Sequence, residues 1–212
     1  MAKTLVALAA LGAAATGWVF FGGAAAGGSM SLVRTIVPGV GIGGVTLGTP
    51  LPAVHRRLGT PIFTGDGDTY GEYWQWTKTP ANLIGPVEAI TVDYPYVDGK
   101  PGGVTFVSTP GAWMIAGTGI RSYEHGDLAA LRRFYGSRLL GPFTDGPPTG
   151  KDGSQGLYYE LPGRFMGRPV HTVFRTATYP PVADEIQEVT VSFCGTGMLG
   201  SMSSEDVPCH QG

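Results

Sequence analysis

Charge is scarce in this chain. Asp, Glu, Lys and Arg make up 14% of its 212 residues, well below the ~25% of an average soluble protein. The formal net charge is −2, and no stretch clusters Lys and Arg with aromatic residues. An electrostatic grip on nucleic acid is therefore not expected. Catalytic signatures are missing as well. The sequence has no nucleophile elbow, phosphate-binding loop, dinucleotide fingerprint or zinc-protease helix. His55, His125, His171 and His210 are scattered, and none stands at metal-ligand spacing from another. Asp66-Gly67-Asp68 opens like a calcium loop, but Tyr70 and Thr77 fall where carboxylate ligands belong, so a polar hairpin loop is expected. No catalytic residue, cofactor or metal is expected.

Cysteine is equally sparse. Cys194 and Cys209 are the only two, both late in the chain. A disulfide between them would tie the C-terminal tail to the last strand, a link worth ~3 kcal/mol on chain entropy. It would also place the chain in an oxidising compartment. Two unpaired thiols are the alternative.

What is abundant is glycine and proline, 35 and 17 residues, beside a 42% hydrophobic share. Such a chain has many turns and short elements around a real core, and points to an α+β fold rather than a helical bundle. Met1-Ala2-Lys3 is followed by an uncharged run through Val33. The lone lysine, the apolar heart Leu5–Leu11 and Ala24-Ala25-Ala26 have the layout of a secretory signal with a small-residue cleavage site. The competing reading is an uncleaved membrane anchor, long enough to span ~30 Å as a helix. Residues 1–26 are thus a signal peptide or anchor, and 27–38 a linker. Either way the protein is expected to be secreted or extracytoplasmic, touching membrane only through residues 4–26.

Two short helical units follow. Thr49 suits an N-cap and Pro50 a first helical position. Leu51, Val54 and Leu58 share one face, His55, Arg56 and Arg57 point outward, and Gly59 stops the helix. Around residues 119–136 the plan recurs: Gly126-Asp127 cap, Leu128, Leu131 and Tyr135 form the apolar face, and Gly136 stops it. The stretches after each helix read as strands: 70–76, 89–96 and 104–107 in the first half, then 156–161, 170–176 and 188–193. The expected organisation is two tandem repeats, 39–116 and 117–194, each a short helix followed by antiparallel strands, with helices on one face of the sheet and a tail over 195–212.

The lead-in Gly41-Ile42-Gly43-Gly44-Val45-Thr46-Leu47-Gly48-Thr49, then Val54 and Leu58-Gly59-Thr60-Pro61, with the echo from Gly119 to Gly136, resembles the β-lactamase inhibitor protein fold. It is also similar to exported bacterial proteins and small envelope lipoproteins built on the same unit. The resemblance implies two tandem units forming a concave, aromatic-lined sheet that clamps a partner protein. The chain departs from the inhibitor in having no cysteine inside either unit.

Aromatic residues are the candidate site. Tyr73, Trp74, Trp76, Tyr94, Tyr96 and Tyr158 fall on or beside expected strands, Trp74 and Trp76 on one face and Tyr73 on the other. A Tyr/Trp platform suits protein binding because these side chains bury much area at low entropy cost. The competing reading is that they fill the core. The functional expectation is an exported, non-catalytic binding protein, inhibitor-like, gripping a protein partner. The alternative is a membrane-anchored accessory or structural subunit of a cell-envelope complex.

Overall fold

The computed structural model describes residues 33–76, 88–145, 156–176 and 184–195, together with Cys209. The N-terminal segment 1–26 and most of the tail 195–212 lie outside the described residues. Among the described residues no helix is long and apolar enough to cross a membrane.

The fold is α+β in a loose sense: among the described residues it is mostly antiparallel sheet, with two α-helices. Strand β1 (Thr35–Val37) is followed by β2 (Gly41–Ile42) and β3 (Val45–Thr46), then α1 (Leu51–Leu58). Next come β4 (Phe63–Asp66), β5 (Thr69–Gln75), β6 (Ala89–Val97), β7 (Lys100–Pro101), β8 (Phe106–Pro110), β9 (Met114–Ile115) and β10 (Ile120–Arg121). After α2 (Asp127–Tyr135) and a short 3₁₀ turn, β11 (Leu140–Asp145), β12 (Gly156–Phe165), β13 (Arg168–Thr176) and β14 (Ile186–Phe193) complete the set.

The large sheet runs β11-β12-β13-β14-β8-β6-β5-β4, with β7 paired onto β6. Every pair in it is antiparallel. A smaller sheet, β10-β9-β1-β2-β3, holds one parallel pair, β1 with β9. Its β1 comes from the stretch read as linker.

One buried cluster takes Val54 and Leu58 from α1, Leu128 and Leu131 from α2, and Ile36, Ile42, Val45 and Ile115 from the small sheet. From the large sheet it takes alternate residues: Trp74, Ile90, Val92, Tyr94, Val107, Val189, Val191, Phe174, Tyr159 and Leu161. Both helices therefore pack on the same face of the large sheet, and the pleat sends the intervening residues to the other.

Local chemistry explains the helix ends. Pro50 is the residue before α1, extended at φ −71° and ψ 146°, and bridged to Gly103. The helix starts one residue later than expected, and Thr49 Oγ1 meets Thr46 Oγ1 rather than capping it. Gly59 ends α1 at φ 82°, a conformation that favours glycine. The glycine-rich lead-in is a two-residue hairpin turn: Gly43 and Gly44 both have positive φ, as the tight turn between β2 and β3 demands. A side chain on Gly44 would collide with the Arg57 guanidinium, whose Nε donates to Gly43 O at 2.9 Å. Arg57 thus holds the hairpin instead of pointing outward. His55 is also engaged, its Nε2 lying 2.6 Å from the buried Glu72 Oε1.

Candidate functional site

The six aromatic candidates divide by exposure. Trp74 is 2% exposed and donates its indole N–H to Gly59 O at 3.1 Å under α1. Tyr94 is fully buried, donating to Glu72 Oε2 at 3.1 Å; burial, with the Glu72 charge, pushes its hydroxyl pKa far up. Tyr158 is buried on β12, its ring 5.2 Å from that of Phe143. These three are core residues, which corrects the expectation of a single exposed platform. The physical reason is that the helices and the small sheet cover the face carrying Trp74 and Tyr94. Tyr73 is half-buried on the opposite face. Trp76, just beyond β5, is 38% exposed, and Tyr96 is 36% exposed with its hydroxyl donating to Asp66.

The structure gathers the reachable aromatics at the β4 end of the large sheet and adds residues that sequence reasoning missed. Phe63 on β4 is 66% exposed, and Ile62 beside it is exposed too. Cross-strand pairing sets Phe63 opposite Tyr73, and Tyr73 opposite Thr91. The next row along the same face is Gly65, Gly71 and Asp93. Two adjacent glycines carry no side chain, so a hollow of about 450 Å³ opens between Phe63, Tyr73, Thr91 and Asp93. Asp66 and Glu72 also border it, but their carboxylates, bonded to Tyr96, Tyr94 and His55, lie on the opposite face. It is an aromatic-walled socket with a single carboxylate, the buried Asp93, on its face, beside a sheet edge, because β4 is the last strand of the path. The hairpin loop expected from Asp66 is confined to Gly67-Asp68, and Thr64-Gly65-Asp66 is strand.

At the other end the same face carries a polar row. Ser192 on β14, His171 on β13 and Glu160 on β12 lie side by side and are buried. His171 Nε2 is 2.7 Å from Ser192 Oγ, and Nδ1 is 3.3 Å from Glu160 Oε1. That is the order of a nucleophile, base and carboxylate. However, Ser192 is 1% exposed on a strand paired on both sides, so in this conformation no acyl substrate reaches it. The row reads as a satisfied polar network. Beside it Arg175 donates to Glu188 at 3.1 Å.

Cys194 and Cys209 form a disulfide, as expected, with Cα atoms 5.5 Å apart. It carries Cys209 to the polar row: ligand atoms of Glu160, His171 and Cys209 lie within 4.8 Å of one another. This is a metal-ligating grouping that the sequence reading did not anticipate, since its members are spread over two strands and a tail. While the disulfide is closed, Cys209 has no thiolate to offer. Searches against protein families, curated proteins and solved structures find no match to this chain.

Proposed function

We propose that this chain is an exported, non-catalytic binding protein that grips an extended segment of a protein partner at the β4 end of its large sheet. The observation that carries this reading is the socket between Phe63 and Tyr73, open beside an edge strand. Edge strands offer unpaired backbone groups to an incoming strand, and alternate side chains of such a strand enter pockets on the receiving sheet. The aromatic walls favour a segment that places an apolar residue in the socket. Trp74 and Tyr94 support these strands from the covered face.

The inhibitor-like, two-unit architecture is part of the same proposal. Strands β4-β5-β6-β8, all following α1, form one half of the large sheet, and β14-β13-β12-β11, all following α2, form the other in mirrored order. Export rests on the uncharged N-terminal run and on the disulfide. The mass of the mature chain tests it: a start near Gly27 fits a cleaved signal, and an intact N-terminus fits the envelope-anchored alternative.

For binding, the protein is presented with a displayed library of extended peptides. Enrichment of sequences carrying a large apolar residue is expected. Gly65→Val should abolish their capture without loss of stability, because valine suits a strand and the nearest atom to its Cβ is Phe63 at 3.6 Å. Phe63→Ala, at a wall residue that is 66% exposed, should weaken capture while changing stability by less than ~0.5 kcal/mol. Trp74→Ala should instead destabilise the fold by ~3–5 kcal/mol. Peptides held equally well by Gly65→Val would sink the proposed socket.

A further inference from the structure

The grouping of Glu160, His171 and Cys209 has geometry that a closed disulfide does not use. A tetrahedral zinc with nitrogen and oxygen ligands at about 2.0–2.2 Å sets those two ligand atoms roughly 3.3–3.6 Å apart. His171 Nδ1 and Glu160 Oε1 are 3.3 Å apart, long for an N–H···O hydrogen bond, which favours about 2.7–3.2 Å, yet suited to an edge of that tetrahedron. The other ring nitrogen is already held: Nε2 sits 2.7 Å from Ser192 Oγ. A ligating histidine almost always donates its second N–H to such a partner, which fixes the ring and raises its basicity. Both side chains are almost wholly buried, so their orientations are set by the sheet. The Cys209 sulfur lies within 4.8 Å of both and needs to move about 1 Å to complete a zinc–sulfur edge. Cys194, bonded to Cys209 in the oxidised chain, supplies a fourth donor once that bond opens.

We infer that this corner is a redox-exchangeable staple. In the oxidised chain the disulfide holds Cys209 to the sheet, and in the reduced chain a thiophilic divalent metal of the zinc class binds Glu160, His171, Cys209 and Cys194. The conversion balances with a dithiol reductant. Two electrons and two protons pass from the dithiol to the cystine, giving two cysteine thiols and an oxidised dithiol. Metal binding then releases the thiol protons, and the thiolates become ligands. The cation is chosen by its donors, two thiolates, an imidazole and a carboxylate, a set that suits zinc.

The experiment uses the full chain and cobalt(II) as a spectroscopic stand-in for zinc. Reduced with a phosphine and freed of it without air, the protein should take up one cobalt per chain. Tetrahedral d–d bands and thiolate charge-transfer absorption should appear, and both should vanish on adding zinc. The oxidised chain should take up none. Cys194→Ser leaves the sheet residues untouched and frees Cys209 without any reductant. It should bind cobalt more weakly than the reduced chain, with one thiolate instead of two. Ser192→Ala, which removes only the partner of His171 Nε2, should weaken binding about 10–100-fold. The inference fails if neither the reduced chain nor Cys194→Ser takes up cobalt. It also fails if His171→Ala, shown folded by circular dichroism, binds as tightly as the unaltered protein.

Discussion

Asp127 opens α2, yet its carboxylate works mainly on another element. Its two oxygens accept the Ile186 N–H at 2.9 and 3.1 Å, joining the start of β14 to the helix, and one also accepts the Glu124 N–H at 3.3 Å. Burial pushes its pKa from 3.8 up to about 6, while the backbone N–H donors oppose that rise. The folded chain therefore binds the proton more tightly than the unfolded one. The stabilising contribution is complete below the unfolded value of 3.8 and is lost as pH rises through about 6. Thermal melts at stepped pH should show stability falling across that window. Asp127→Asn, which does not titrate, should remove this part of the slope, and an unchanged slope would rule out Asp127 as its source.

Among the elements, those with strong side-chain signals were legible in the sequence. Tyr70, Trp74 and Trp76 marked β5, and Val189, Val191 and Phe193 alternating with polar residues marked β14. Glycine ends and apolar spacing marked both helices. Strand β4 was hidden because Thr64-Gly65-Asp66 has turn composition, and its extended form comes from pairing with Glu72, Gly71 and Tyr70 across β5. Alternation alone could not say which face the helices cover, so Trp74 and Tyr94 looked as available as Tyr73. His171 and Glu160 gave no signal because eleven residues of sequence separate groups that a hairpin makes neighbours. The disulfide was legible from cysteine count and context. Breaking it should cost ~3 kcal/mol, read as a drop in melting temperature on reduction in metal-free buffer. No change there would mean that the closed loop contributes little to the fold's stability.

For the whole molecule, stability should be graded across the large sheet. Strands β8 and β14 lie in its middle, each paired on both sides, while β4 and β11 are its ends. Native-state hydrogen exchange should therefore be slowest at Val107, Val189 and Val191, and fast at Thr64 and Phe143. Protection at Thr64 equal to that at Val191 would mean the β4 edge is not open to an incoming strand.

The place of β14 also bears on how the chain is made. It is the last strand in sequence among the described residues, yet it stands between β8 and β13. As the polypeptide emerges from the ribosome, β4, β5, β6 and β8 can pair early. Strand β13 can join them only through residues 186–193, which come later. The sheet stays in two separate pieces, each with a raw edge at the future centre, until synthesis is nearly done. A nascent chain of this topology has no finished sheet during translation and can still be threaded through a narrow channel.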